Sequence, residues 1–491
     1  MKKLKELFSD TLIYGISSVF ARFINYLLVP LYTGIFEPEK YGIVGLVYAA
    51  IGFLNVLFTM GMESSYIRYG KDREYAGSYF KTLQLFLLGS SGVLLLLLWL
   101  MQPVLSPLLG LEDAAEGIFL MMLGILFFDT LSIVPFAELR LVQKAWLFAT
   151  LKTINVIINL GLNFYLIIGL NYGIEAVFIS NLAASGITAL VIWILTLSMM
   201  SGQWKREFLQ KCLSFGLPFI PAGIGHVINE MLDRFFLQGM SEESILSIYG
   251  QDYSPEHIVG VYNACYKLAV FMLLLVQMFR MAWQPFFMRQ SDGEDAPALF
   301  SQAFTFFNVA AAVVFLMVSL FLEQIVSIKI PFLDAYLIGK EYWMGLSIVP
   351  FLLIAYWFQG WYVNFSAGIF IAEKTKRLAQ ITLTGAVVTI AVNLVLIPIY
   401  GMMGSAIATL LSYLVMAMLI YRYSVSSFNV PYKLWQGFAV VGVTALAVFG
   451  KPFLSERFFS DITASIVLFI SALFLISIVS FGDRLSALKD R

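Results

Sequence analysis

The chain is a succession of long apolar runs separated by short polar connections. A bilayer core about 30 Å thick is crossed by roughly 20 apolar residues in a helix. Runs of that length lie near 10–34, 41–67, 79–101, 115–138, 147–170, 173–199, 213–238, 257–287, 298–323, 343–371, 378–398, 401–421, 434–450 and 461–481. The pattern predicts fourteen transmembrane helices, the thirteenth of them short. The tightest turns are Asn171-Tyr172-Gly173 and Tyr400-Gly401. The longest connections, near 239–257 and 324–342, leave no room for a soluble catalytic or nucleotide-binding domain. No Walker-type glycine loop is present.

Composition changes this picture only by excluding alternatives. Of 491 residues, 60% are hydrophobic and 13% charged, more apolar surface than a soluble chain could hide. The start, MKKLKELFSD, is basic and leads into an apolar run without a small-residue cleavage site, as expected of a retained first helix. Cys212 and Cys265 have no metal or redox spacing, so neither a disulfide framework nor a metal site is expected.

The net charge of zero carries no information, because the location of cations orients a membrane protein. Of 31 Lys and Arg, 23 fall in alternate connections that would all be cytoplasmic with the N-terminus inside. The opposite connections hold six: Lys40, Arg234, Lys329, Lys340, Lys451 and Arg457. Arg22 and Lys267 remain inside spans. This asymmetry predicts that both termini are cytoplasmic.

The chain also resembles itself. NFYLIIGLNYGIEAVFISNL from Asn163 matches NLVLIPIYGMMGSAIATLL from Asn393, and YGIVGLVYAAIGFLNVLF from Tyr41 matches VGVYNACYKLAVFMLLLV from Val259, with Tyr48 on Tyr266. The expected architecture is all-α and integral to the membrane. It has two six-helix bundles, residues 1–205 and 206–425, related by a pseudo-twofold axis along the membrane normal, with two additional helices and a tail in 426–491.

Four segments carry a resemblance to a known family: the stretch from NYLLVPLYTGIFEPEKYGIVGLVY, LPFIPAGIGHVINEMLDRFFL, VGVYNACYKLA and NLVLIPIYGMMGSAIATLLSY. In their order and spacing the chain resembles the polysaccharide-transport branch of the multidrug/oligosaccharidyl-lipid/polysaccharide (MOP) superfamily. These are O-antigen and capsule-unit flippases of bacterial inner membranes. The resemblance covers about residues 9–421. It implies flipping of an undecaprenyl-diphosphate-linked sugar unit from the inner to the outer leaflet by alternating access. The partners it implies are the lipid-linked oligosaccharide, the bilayer, and a polysaccharide polymerase and glycosyltransferases, with no nucleic acid. It implies no catalytic residues and no cofactor beyond a coupled H+ or Na+.

Charges inside spans are costly, about 2.5–3.5 kcal/mol for a central one on insertion scales, and mark candidate sites. In the first span, Ser18, Arg22 and Asn25 share one face. The Arg22 guanidinium suits a phosphate bidentately, and a structural ion pair is its alternative. In the seventh span, His226, Asn229, Glu230 and Asp233 share a face, where a histidine and a carboxylate one turn apart suit proton exchange. An Arg234–Glu230 pair is the structural alternative, and Pro218, Pro221, Gly223 and Gly225 predict a bend. The eighth span presents Tyr262, Tyr266, Gln277, Arg280 and Gln284, with Asn263 and Lys267 about 100° away.

The candidate substrate-binding residues are thus Arg22, Asn25, Arg68, Lys267, Arg280 and Tyr266. The ion-coupling candidates are Asp129, His226, Glu230 and Asp233. Glu63 is expected to pair with Arg68 or meet the arriving phosphates. Asp129 is expected to partner Arg22 or Lys267 or to serve coupling. Glu138 and Glu373 are expected at the interface, and Trp283, Trp343, Trp357, Trp361 and Tyr362 as membrane-interface anchors or packing, with sugar stacking as the alternative. Two other readings stay open. A cation-coupled exporter of the multidrug and toxin extrusion type would favour an acidic cavity. A membrane polysaccharide polymerase or ligase would need a larger outer loop.

Overall fold

A computed structural model describes residue 26 and residues 28–111, 116–331, 333–374, 376–457 and 460–489. Its helices are α1 (Leu28–Ile35), α2 (Pro38–Thr59), α3 (Met62–Tyr69), α4 (Ala76–Leu100), α5 (Gln102–Leu108), α6 (Glu116–Leu141), α7 (Ala145–Phe164), α8 (Glu175–Thr196), α9 (Arg206–Gly216) and α10 (Phe219–Gln238). They continue as α11 (Glu242–Tyr249), α12 (Pro255–Tyr266), α13 (Val270–Gln290), α14 (Ala296–Leu320), α15 (Leu322–Val326), α16 (Val349–Ile371), α17 (Lys376–Tyr400), α18 (Met402–Ser427), α19 (Leu434–Arg457) and α20 (Asp461–Lys489). A two-stranded hairpin, β1 (Lys329–Ile330) and β2 (Ala335–Tyr336), pairs Lys329 with Tyr336 between α15 and α16. Among the described residues twelve helices are long and apolar enough to cross a membrane, and the bent pair α9–α10 makes a thirteenth span. These match the second to fourteenth predicted spans in order. Most of the first lies outside the described residues, and the thirteenth runs on through Pro452 to Arg457.

Three spans among the described residues are broken, the first two at residues that disfavour a continued helix. Between α2 and α3, Met60 and Gly61 both take positive φ, 46° and 68°. Between α9 and α10 the axis turns by 42° at Leu217–Pro218, where the proline ring crowds the preceding turn. This is the predicted bend. The two breaks nest: a Cβ on Gly61 would lie 2.5 Å from the Gly216 carbonyl oxygen, and one on Gly216 would lie 2.7 Å from that of Met60. The third break is the 3-10 turn Lys267–Ala269 between α12 and α13.

The described chain packs as two compact units, Ile24–Asn263 and Ala264–Arg491. In the first, α6 packs on α8 and α4, α7 on α8, and α10 on α2. Met62, Tyr66, Phe80, Leu83, Val134 and Cys212 form one of its cores. In the second, α16 packs on α18 and α13, α18 on α17, and the two additional helices on α14. Its centre is aromatic. Asn308 Oδ1 accepts hydrogen bonds from Trp357 Nε1 at 2.9 Å and Trp361 Nε1 at 2.7 Å. Trp283 donates to the Asn364 carbonyl at 3.3 Å. These three tryptophans are wholly buried packing residues, not interface anchors, because α13, α14 and α16 enclose them. Among the described residues the most exposed tryptophans are Trp146 and Trp435, each near the start of a span, where an amphipathic ring suits the headgroup level.

Candidate functional site

At the basic end of the first unit, Glu138 and Glu63 each find a cation from a distant part of the chain. Arg73 donates two hydrogen bonds to the Glu138 carboxylate, at 2.6 and 3.0 Å, and the Tyr66 hydroxyl adds a third at 2.8 Å. Glu138 is therefore buried and paired, not interfacial as expected. The hydrogen bond to Glu138 raises the Arg73 pKa above its ordinary value. Glu63 pairs with Arg140 and not with Arg68, the cation proposed from sequence proximity. Arg68 lies exposed over the Phe215 ring, 4.4 Å from its centroid. It stays available to an anion.

On α10 the predicted polar face is present but divided. Asp233 and Arg234 are both buried and form an ion pair at 2.8 Å. Tyr262 donates to the second Asp233 oxygen at 2.5 Å, and Arg234 also donates to the Glu230 carbonyl oxygen at 2.8 Å. Arg234, counted among the outer connections, is thus a buried partner of Asp233 and not a topology signal. Its neighbour in sequence supplies the countercharge because the backbone fold of α10 brings both side chains to Tyr262. Asn229 is buried, Glu230 half-buried, and His226 exposed.

A third set of polar residues escaped the sequence reading. Lys152, Asn155, Asn159 and Asn163 lie within about 80° of one another on α7, taking 100° per residue. Asn163 is locked: its amide accepts from Tyr32 at 2.8 Å and donates to the Asn159 carbonyl at 2.8 Å. Asn155 donates to Thr188 on α8 at 3.0 Å, and Asn181, on the same face of α8, donates to Tyr48 on α2 at 2.9 Å. Asp129 stands midway along α6, with Ser185 and Lys152 acting on its carboxylate electrostatically. Lys152, assigned to a cytoplasmic connection, sits seven residues inside α7, its amine 4.2 Å from the centre of the Phe136 ring. The helical spacing of the α7 amides was readable.

Arg22 and Asn25 lie outside the described residues. In the second unit, Tyr266 is buried with its hydroxyl against that of Tyr356. Lys267 is half-buried and opens the 3-10 turn, and Arg280 is exposed on α13. The candidates are therefore spread over several faces. Among the described residues no three His, Cys, Asp or Glu side chains are grouped to hold a metal ion.

Known proteins resemble this architecture. The lipid II flippase MurJ, in an inward closed conformation, superposes with a TM-score of 0.69 at 15% identity, covering 96% of this chain and 100% of that one. A multidrug resistance MATE family transporter of the MOP superfamily, inward-facing, gives 0.65 at 16% identity over 81% and 93%. An outward-facing MATE family structure gives 0.57 at 17% over 84% and 94%. These likenesses concern the fold. No curated protein matches the sequence. Residues 7–291, more than half of the 491, match the polysaccharide biosynthesis protein family, and the chain belongs to that family.

Proposed function

We propose that the chain is a flippase that moves undecaprenyl-diphosphate-linked oligosaccharide units from the inner to the outer leaflet of a bacterial inner membrane by alternating access. The observation that carries the reading is the family match over residues 7–291 on a fold shared with flippases and exporters. The diphosphate is the fixed feature of such a substrate. Guanidinium and ammonium groups at Arg22, Arg68, Lys267 and Arg280 are its recognition elements. Both termini lie in the cytoplasm, as the cation bias requires. Movement is coupled to H+ or Na+ through the acids of the spans. Asp129 and Glu230 are the better candidates, because Asp233 already has Arg234 as its countercharge. A polymerase and glycosyltransferases supply and consume the unit.

The test is a proteoliposome assay with a fluorescent polyprenyl-diphosphate-linked oligosaccharide, scored by its exposure to an impermeant quencher. Leaflet exchange should be fast with the intact protein. It should fall at least tenfold in Arg22→Ala while that variant remains monodisperse. Exchange no faster than in protein-free vesicles would refute the reading. Imposed proton and sodium gradients in the same vesicles identify the coupling ion.

A second reading, a cation exporter, draws on the accessible Asp129 carboxylate and on the MATE folds. Uptake of an organic cation by vesicles that do not exchange the lipid would favour it.

A further inference from the structure

The α7–α8 polar column lies where intramembrane helices ordinarily keep only packing residues. Interhelical amide and hydroxyl bonds do serve as glue between membrane helices, and glue residues are enclosed. Asn163 and Tyr32 fit that description, both being buried. Asp129, Lys152, Asn155, Asn159, Asn181 and Tyr48 do not. Asp129 and Lys152 are exposed, and the other four are half-buried.

This open surface does not face lipid. On α7 the exposed apolar residues Ile154 and Ile157 lie roughly opposite the amide face at 100° per residue. On α6 the exposed Leu120 is nine residues, about 180°, from Asp129. The lipid face and the polar face of each helix are thus separate. The polar faces of α6, α7 and α8 turn toward one another and toward Tyr48 on α2. From Lys152 to Asn163 the column rises about 16 Å, half of a bilayer core.

Its chemistry is neutral and bifunctional. Amides offer donors and acceptors together, and Tyr48 adds a hydroxyl and a ring face. Asp129 and Lys152 balance in charge. A purely cationic lining would select a phosphate, and an unbalanced acid a metal ion or organic cation. A closely spaced set of amide donors and acceptors, with one charge of each sign, matches a polyhydroxylated ligand whose hydroxyls both donate and accept.

We propose that this column, within the first unit alone, is a saccharide-binding site that holds sugar hydroxyls of the cargo, with Asn155, Asn159, Asn181 and Asp129 as its hydrogen-bonding groups. The proposal rests on the flippase reading for the identity of the ligand, and on the geometry for its location.

The experiment uses the full chain in nanodiscs, with two probes measured separately. One is a panel of methyl glycosides, neutral hexosides and N-acetylhexosaminides, followed by saturation-transfer NMR. The other is sugar-free polyprenyl diphosphate. The expected result is millimolar binding of at least one glycoside, weakened at least tenfold in Asn155→Ala and in Asn181→Ala, with polyprenyl diphosphate binding unchanged. Each variant must elute and melt as a folded protein. If both fail to fold, Asn155→Gln and Asn181→Gln, which retain an amide at a shifted position, replace them with the same expectation. Polyprenyl diphosphate binding with no response from any glycoside overturns the proposal and leaves the flippase reading intact. Glycoside binding without polyprenyl diphosphate binding supports the proposal and counts against that reading. Unaltered glycoside binding in both folded variants also overturns it, since the sugar would then sit elsewhere.

Discussion

Gly42 and Gly260 meet backbone to backbone where α2 crosses α12. A Cβ on Gly42 would lie 2.0 Å from the Glu256 carbonyl oxygen, and one on Gly260 would lie 1.8 Å from that of Pro38. The contact is reciprocal. The offset that places Tyr48 on Tyr266 also places Gly42 on Gly260 and Pro38 on Glu256. Residue and mate exchange contacts, as across a twofold axis. The same offset relates Glu39 to His257, which meet at 2.7 Å beside the crossing. Small residues let membrane helices approach this closely.

A side chain at this crossing has no room, because the obstacle is main chain. Gly42→Val and Gly260→Val should each lower stability by about 2–3 kcal/mol, the upper part of the usual overpacking cost. Thermal unfolding in detergent should register the loss. Gly89→Val, where a Cβ meets nothing within 4 Å, should melt like the parent.

Removing the cation beside Glu138 leaves a buried carboxylate held by one hydroxyl. Arg73→Met should destabilise the protein by about 2–3 kcal/mol, below the range for a fully buried pair because Arg73 is half-exposed. Adding Glu138→Gln should recover most of that loss. The Arg73 pKa is raised in the folded state, so the stability it contributes is present below its unfolded value and is lost only as pH climbs through the higher folded one. Melting curves from pH 7 to 10 should therefore show no loss traceable to this pair, measured as the difference between parent and the double variant.

Asn308 serves two indoles with one oxygen. Asn308→Leu would leave the Trp357 and Trp361 N–H groups buried without that acceptor, at about 1–3 kcal/mol each. The expected signs are a melting temperature several degrees lower and a shift in tryptophan emission. An unchanged emission maximum would show that the indoles find another acceptor.

The Asp233–Arg234 pair should behave as structure, not as an anion site. Arg234→Met is expected to cost about 3–5 kcal/mol, as for other buried pairs that lose one partner. Arg234→Met combined with Asp233→Asn should restore folding. If the double variant also restores leaflet exchange to the parent rate, neither charge takes part in coupling. If it folds and does not exchange lipid, Asp233 belongs to the transport machinery.

Span length and cation bias are properties of the chain in one dimension. Each apolar run must satisfy its own backbone hydrogen bonds in lipid, so thirteen spans were legible from runs of residues alone. The bend before α10 was legible too, because Pro218 acts on its own turn. Which polar side chains meet was not legible. Tyr32 and Asn163 are 131 residues apart, Tyr66 and Glu138 72 apart, and no local pattern joins them. Lys152 and Arg234 stand close enough to span ends in the sequence to read as residues of the connections. Only packing decided that one faces Phe136 and Asp129 and the other Asp233. The same holds for Trp283, Trp357 and Trp361: an aromatic run in a span reads alike whether it meets lipid or other helices, until α13, α14 and α16 close around it. The sequence by itself determined a many-span membrane protein and set the expectation of its repeat and its orientation. Tertiary structure decided which of its few polar groups neutralise one another and which remain open to a ligand, because desolvation and pairing depend on neighbours that only folding supplies.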